Sequence, residues 1–221
     1  MGENMRTYVS PIGYNSTSVV RPVLSRGLDS GDEIRLLRPH EESDGQRATE
    51  AIGDVERLLN EIEPDVTLTV EWITYDDYAA AVLECSEIII GADGDVIVNL
   101  GGGARDILVP LTTAALVHSE AIATMVTFSD IDGAVRELES PMITASVPEN
   151  VVSTLEAVAD HVDRVSTPTL TEELDRSKSS ITRHVNLLEE EGLVQTEKHG
   201  RTKVVELTFA GELYLRIDGN C

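Results

Sequence analysis

The residues best suited to chemistry lie in the stretch Val96–Leu111, VIVNLGGGARDILVPL. An apolar, strand-like run ends in Asn99, Gly101, Gly102 and Gly103 turn the chain, and apolar residues resume at helical spacing after Arg105 and Asp106. Glycines permit a tight turn where a Cβ would clash. A helix that starts just beyond the turn aims unpaired N–H groups and a partial positive charge at whatever lies above it. Such a turn can seat an anion or a phosphate, and Arg105 can close a guanidinium fork on it. The same sequence also suits close helix–strand packing with no ligand. A second loop of similar type, Pro11, Gly13, Tyr14, Asn15 and Ser16, follows the strand-like Arg6–Ile12 and precedes another helical stretch.

Other chemistries fit less well. The first turn has one glycine, Gly13, where a dinucleotide fingerprint needs G-x-G-x-x-G, and no G-x-x-x-x-G-K-[ST] occurs anywhere. Ser10 and Ser16 have no histidine near them in sequence, and His40 and His118 are isolated, which reads as exposed or capping histidines. No catalytic residue is assigned. Cys85 and Cys221 lack partners at metal-ligand spacing and read as buried or idle thiols of a reducing cytoplasm, with no metal site.

The elements that position the two loops follow from periodicity. Strand-like segments at 6–12, 32–38, 66–73, 95–100, 121–128 and 134–138 alternate with helical ones. The helical stretches start at Asn15 or Ser16, span Glu41–Ile62, run from Tyr75 to Cys85 and on toward Ile89, and cover Arg105–His118. This order predicts an α/β domain with a mostly parallel sheet covered on both sides. In such sheets ligands sit beyond the carboxyl ends of the strands, where strand order reverses. Both loops belong there, so the pair is more informative than either alone.

A second domain is expected over 148–221, leaving 1–147 to the first. Asn150 reads as a helix cap and Val151–Val165 as a helix with Leu155, Val158 and Val162 turned inward; Thr167-Pro168 breaks it. Thr169 and Glu172 have capping-box form for a short helix to Leu174. Ser177 caps a longer helix to Glu191 whose apolar side is Ile181, Val185 and Leu188. Its other side shows Lys178, Ser179, Thr182, Arg183 and Asn186. Gly192 ends it, and strands at 193–197 and 202–207 flank His199-Gly200, with Lys198, Arg201 and Lys203 near the tip. Thr208–Ile217 returns as a helix. This is the order of an α+β winged helix-turn-helix, whose third helix enters a major groove while the hairpin reaches backbone or minor groove. The alternative is a winged helix used only for protein contact. The expected DNA-contacting set is therefore Thr169, Ser177, Lys178, Ser179, Thr182, Arg183, Asn186, Lys198, His199, Arg201 and Lys203. Glu189–Glu191 reads as a solvated run that keeps the far end of the helix off phosphate.

Composition agrees. The 221 residues carry 40 Asp+Glu against 17 Lys+Arg, a net charge of −23, and only three lysines, all in the second domain. Residues 1–149 are net −18 and residues 150–221 net −5, an asymmetry that points the C-terminal part at an anionic partner. An acidic, lysine-poor chain with ordinary periodicity suggests adaptation to concentrated salt, where self-repulsion is screened, and hence a halophilic, archaeal source. DNA affinity falls steeply with salt, so that setting makes demands on the second domain. No charged-then-apolar leader is seen, and Ile107–Phe128 is broken by Pro110, His118, Ser119 and Glu120. A cytoplasmic protein with no membrane partner is expected.

Two sets of residues then agree on a family. Gly13-Tyr14-Asn15 is similar to the Gly-aromatic-Asn of archaeal CARF domains, the Rossmann-like sensors of CRISPR-associated proteins that bind cyclic oligoadenylates. Asn99-Leu100-Gly101-Gly102-Gly103-Ala104-Arg105 is similar to their polar-Leu-x-x-Gly-x-Arg, although the triple glycine departs from the commoner pattern and widens the turn. Leu207-Thr208-x-x-Gly211 resembles the hairpin exit of MarR-type regulators. The whole chain resembles an archaeal CRISPR-associated CARF–winged-helix transcription regulator. The resemblance implies a homodimer binding one cyclic tetra-adenylate across both subunits and double-stranded DNA at a palindromic operator. It also implies that Gly13, Tyr14 and Asn15 form one wall of the pocket and that Asn99, Gly103 and Arg105 contact ligand from the other. No cofactor is implied. Two alternatives stay open: a metal-independent ring nuclease in which Ser10, Ser16 or Asn99 positions a 2′-hydroxyl, and a winged-helix regulator with another ligand or none.

Overall fold

The computed structural model describes residues 5–40, 45–141, 143, 145–200 and 202–217. Contacts divide the chain into two units, Met1–Glu139 and Ser140–Cys221. Ala145 and Val147, which sequence reading gave to the first domain, pack against the core of the second.

The first unit runs β1 (Arg6–Pro11), α1 (Thr17–Arg26), β2 (Glu33–Pro39), α2 (Gly45–Ile62), β3 (Thr67–Ile73), α3 (Tyr78–Ile90), β4 (Asp95–Asn99), α4 (Arg105–Val117), β5 (Thr124–Phe128) and β6 (Val135–Leu138). The sheet order is β3-β2-β1-β4-β5-β6. Strands β1 to β5 pair in parallel, and β6 returns antiparallel on β5, with Met125 opposite Leu138. The sheet is Rossmann-like and mostly parallel, as the alternation of elements predicts. Its order reverses between β1 and β4, so the crevice lies between the two loops singled out above. Successive side chains of a strand face opposite layers. Tyr8, Ile34, Leu36 and Ile97 meet Val19, Val23, Val55 and Leu59 of α1 and α2. On the other side Val9, Leu37, Val96 and Val98 meet Cys85, Ile89, Ile107 and Leu111 of α3 and α4. Burial, and secondarily Glu84, pushes the Cys85 thiol up to about 12, so it stays protonated and unreactive.

Two boundaries differ from expectation here. The stretch from Ser119 to Ala121 forms a 3₁₀ turn, so β5 begins at Thr124 rather than Ala121. The helix expected from Glu41 is seen from Gly45, and 41–44 lie outside the described residues.

The second unit runs α5 (Glu149–Ala159), β7 (Val165–Ser166), α6 (Thr167–Glu173), α7 (Lys178–Glu190), β8 (Val194–His199), β9 (Thr202–Leu207) and α8 (Phe209–Ile217). Strands are ordered β7-β9-β8, all antiparallel. Leu155, Val158, Leu170, Ile181, Val185, Leu188 and Val205 form its core. This is a winged helix-turn-helix, and three local readings need correcting. The first helix stops at Ala159, because Val165 and Ser166 leave to pair with Val205 and Val204. Val162, expected inward, is therefore fully exposed. Ser166, not Thr169, caps α6: its Oγ accepts the Thr169 N–H at 3.2 Å, and Pro168 stands in the first turn, where its missing N–H costs nothing. Asn150 lies inside α5, whose cap position is Pro148. Ser177 caps α7 as expected, accepting the Ser180 N–H at 3.2 Å.

Candidate ligand cleft and nucleic-acid interface

The two loops close on each other by shedding side chains. A Cβ on Gly103 would lie 2.6 Å from Pro11 Cβ, and one on Gly13 would lie 3.3 Å from Gly103 Cα. Gly103 also holds φ +72°, a left-handed conformation that strains any residue with a Cβ. Gly101 and Gly102 meet different neighbours, the Phe128 N–H and the Ser18 hydroxyl. The three glycines thus answer three separate contacts, and the turn is tight, not widened.

Asn99 ties the loops together. Buried at the end of β4, its Nδ2 donates to Ser10 Oγ at 2.7 Å and to the Ser18 carbonyl at 2.8 Å. Its Oδ1 accepts the Gly101 N–H at 3.1 Å. The Ser18 carbonyl needs that donor: its helical partner four residues on is Pro22, which has no N–H. Leu100 is anchored by its N–H to the Val126 carbonyl at 2.7 Å. Asn99 therefore faces the fold's interior and positions the loops that the cleft is made of.

Above this bracket lies an open cleft of about 270 Å³ lined by Gly13, Tyr14, Asn15, Ser18, Gly102, Gly103, Ala104 and Asp130. Ala104 precedes α4 in extended conformation with no side-chain cap; its carbonyl accepts the Ile107 N–H at 3.0 Å, which leaves the Arg105 and Asp106 N–H groups without a side-chain cap beside the cleft. Across from it Asn15 Oδ1 accepts the Thr17 N–H at 3.0 Å at the start of α1. Of the residues expected here, Gly13, Tyr14, Asn15, Gly102 and Gly103 line the cleft. Pro11 and Gly101 are buried beneath, Ser16 holds the α1 cap position without a side-chain bond, and Arg105 and Asp106 are exposed in the first turn of α4 beside it. The Arg105 side chain makes no hydrogen bond or ion pair with another described residue.

Two residues escape sequence reasoning. The Arg47 guanidinium of α2 lies 4.7 Å over the Tyr14 ring, an arrangement that fixes the ring and brings a cation to the cleft. Asp130 enters from the β5–β6 turn. A third strand end at the same sheet edge, followed by a polar Asp-Ile-Asp-Gly turn, was its available signal. Among the described residues no group of three or more His, Cys, Asp or Glu side chains could hold a metal, and no helix is long and apolar enough to cross a membrane.

In the second unit α7 presents Lys178, Ser179, Thr182, Arg183 and Asn186 outward, all exposed. Lys178 and Arg183 make no ion pair with a described residue, and neither does Lys198 on the hairpin. Arg201 lies outside the described residues. Thr169 is half-buried, with its hydroxyl 2.7 Å from Ser166 Oγ, and Ser177 is engaged with Ser180 as cap. His199 is exposed at the hairpin end.

Lys203 is not a free tip cation. It pairs in register with Lys198, and Nζ donates to Asn186 Oδ1 at 3.0 Å and to Glu189 Oε2 at 2.8 Å. Two lysines facing each other across a ladder repel, and Glu189 relieves that repulsion. Lys203, with the Thr196 hydroxyl, holds the Glu189 carboxyl below its usual range. Glu191 accepts the Ser146 N–H at 2.9 Å. The acidic run read as solvated is thus partly internal bracing.

His184, unnoticed in sequence, is the buried polar residue of α7. Its Nδ1 lies 2.8 Å from Thr154 Oγ1 and its Nε2 3.4 Å from Asn150 Nδ2, joining α7 to α5. Burial, then Arg176 and Arg183, keeps its pKa below the ordinary value. The unfolded chain takes up a proton at about pH 6.5 that the folded one resists, so stability rises with pH across that window and falls as pH drops through it. Melts at pH 7.5 and 5.5 should show a larger drop in the wild type than in His184→Gln; equal drops would remove His184 as the cause.

Residues 6–136 match the family described as the Csa3 CRISPR-associated Rossmann-like domain, and residues 146–203 match the MarR family. No curated protein matches the chain. Among solved structures, Csm6 of Enterococcus italicus bound to cyclic hexa-2′-fluoro-hexa-dAMP is 10% identical with a TM-score of 0.53, over 85% of this chain and 49% of that one. The PcaV transcriptional regulator of Streptomyces coelicolor, in complex with its natural ligand, is 22% identical over 32% of this chain and 51% of its own, TM-score 0.30. HlyU of Vibrio cholerae is 26% identical over 34% of this chain and 86% of its own, TM-score 0.29. The chain therefore spans about half the length of both PcaV and Csm6. With more than half its residues in the first match, the chain belongs to the Csa3 CRISPR-associated Rossmann-like family and carries a MarR-type winged-helix domain behind it.

Proposed function

We propose that this protein is a CRISPR-associated transcription regulator that binds a cyclic oligoadenylate, cyclic tetra-adenylate first among them, in the β1/β4 cleft and tunes operator binding by its winged helix. The observation that carries the reading is the cleft itself. It opens at the point where strand order reverses and is walled by glycine backbone and an uncapped helix start, with Arg105 beside it and Arg47 over Tyr14. Backbone N–H groups and guanidinium suit phosphate, and the aromatic wall suits a base. Gly13, Tyr14, Asn15, Gly102 and Gly103 are its walls and Arg105 its phosphate partner, while Pro11, Asn99 and Gly101 hold those walls in place from beneath.

The acting form is a homodimer. Between Asp106 and Glu120 the outer side of α4 carries no acid, lysine or arginine in a chain of net charge −23, and Val109 and Val117 are exposed there. Tyr78 of α3 bonds Thr113 of α4 at 2.8 Å, extending that apolar face toward α3. A second copy seated on it lets one ring touch two clefts, and a ring that prefers one subunit arrangement shifts the spacing of the paired recognition helices. A halophilic archaeal cytoplasm accounts for the acidic surface.

Calorimetric titration of the full chain with cyclic tri-, tetra- and hexa-adenylate tests this. One ring per two chains is expected, with Arg105→Ala weakening binding by about tenfold or more and leaving basal operator gel shifts unchanged. No binding of any ring would remove the ligand reading, and linear products in the mixture would replace the sensor with a ring nuclease.

A further inference from the structure

Two carboxylates sit in the β5–β6 turn, and the fold uses only one of them. Asp132 is part of the turn: its Oδ1 accepts the Ala134 N–H at 3.1 Å, and its carboxylate is paired with Arg136. The Arg136 bond first, then the Ala134 N–H, hold its carboxyl well below the usual range. The Ser129 hydroxyl accepts the Ile131 N–H at 3.3 Å, and the Gly133 N–H donates to the Ser129 carbonyl at 2.8 Å. Arg21 of α1 reaches the Gly133 carbonyl at 3.4 Å and ties the turn to the helix that borders the cleft. The Asp130 side chain, two residues away on this braced turn, makes no hydrogen bond or ion pair with another described residue, yet it lines the cleft together with Tyr14 and Gly103.

A carboxylate in a phosphate-binding cleft is a contradiction if all of the cleft takes phosphate, because like charges repel at short range. The contradiction disappears if the cleft is divided. Phosphate then pairs with the start of α4 after Ala104 and with Arg105 beside it, and Asp130 takes an uncharged group that donates hydrogen bonds. Tyr14 and Asn15 line the same cleft, one offering an aromatic face and the other an amide.

We propose that Asp130 is a specificity-determining residue of the cleft, accepting hydrogen bonds from an uncharged donor of the nucleotide, either the exocyclic amine of the base or the ribose 2′-hydroxyl, and so favouring ligands that carry it. This rests on the cyclic-oligoadenylate reading above. A carboxylate acceptor makes the bond charge-assisted, stronger than a neutral pair, and a ligand lacking the donor leaves the acid facing it unpaired.

The test is a binding cycle on the full chain, wild type against Asp130→Ala and Asp130→Asn. The ligands are cyclic tetra-adenylate, cyclic tetra-inosinate (amine replaced by a carbonyl) and cyclic tetra-2′-deoxyadenylate. Asp130→Ala should bind the parent ring about tenfold or more weaker, and Asp130→Asn, which keeps a neutral acceptor, should fall between. The analogue lacking the donor that Asp130 reads should lose a similar factor in the wild type and none in Asp130→Ala: inosinate if it is the amine, deoxyadenylate if it is the hydroxyl. Wild-type affinity, or tighter binding, in Asp130→Ala overturns the assignment, because the acid is then idle or merely repels the ring. A wild type that binds none of the rings removes the ligand reading and this inference with it, whereas normal wild-type binding with an indifferent Asp130 removes only the inference.

Discussion

Asn99→Leu is expected to cost the first domain about 3–5 kcal/mol and to remove ligand binding with it, the largest single-residue effect the cleft offers. Leucine fills nearly the same volume, so the loss isolates hydrogen bonding. Without the amide, the Gly101 N–H loses its acceptor, and the Ser18 carbonyl, already deprived of its usual helical partner by Pro22, loses the Asn99 N–H. The Ser10 hydroxyl loses the Asn99 N–H as well. Each buried group left unmet costs about 1–3 kcal/mol, and the three lie close enough together to couple. Asn99→Asp should also destabilise: it keeps an acceptor for Gly101 but turns a carboxylate oxygen on the Ser18 carbonyl. Urea unfolding of the full chain, with the winged unit as internal reference, reads the effect. A midpoint for the first unit equal to the wild type in Asn99→Leu would show that the bracket contributes nothing to holding the loops.

That bracket also marks where local sequence stops being informative. The alternation of apolar runs and helical stretches located nearly all the strands and helices, because each is set by a period of about two or 3.6 residues read over a short window. Gly13 and Gly101–Gly103 were legible as turn formers, but the reasons for them were not. Those reasons are Pro11, Ser18 and Phe128, brought in by folding from elsewhere in the chain. Arg47 sits on the polar side of an amphipathic helix and carries no local sign that it will cover Tyr14. Asn99 reads equally well as ligand contact or brace until Ser10 and Ser18 are seen around it. The misread segments have the same origin. Val162 fits the apolar period of α5, yet the chain leaves that helix so that Val165 can join β9. Thr167-Pro168 looks like a helix breaker and instead starts a helix, since proline suits the first turn as well as it ends a preceding one. Lys203 and Glu189 are fourteen residues apart, and only the return of β9 along β8 makes them partners.

Replacing Lys178 and Arg183 together by alanine should weaken operator binding by about 100-fold or more while leaving the fold intact. Both are exposed on α7, two turns or less from its capped N-terminus, with Ser179 and Thr182 between them. The helix N-terminus carries partial positive charge, and the acids of the helix fall in its last turn, where Glu189 is held by Lys203 and Thr196 and Glu191 by Ser146. The recognition helix is thus electrostatically polarised along its axis, and only its first half suits phosphate and base edges. An arginine contact to a base edge is worth about 1–3 kcal/mol. A lysine on phosphate should lower the slope of log affinity against log salt by about one when it is removed. Lys203→Ala should act differently, because its amine is held by Asn186 and Glu189: it frees the hairpin from α7 and exposes the Glu189 charge, lowering affinity with little change in salt slope. Gel shifts and salt titrations on the three proteins separate these cases. Wild-type affinity and slope in the double variant would move DNA recognition off α7 altogether, and a Lys203→Ala slope reduced by one would return that lysine to the phosphate backbone.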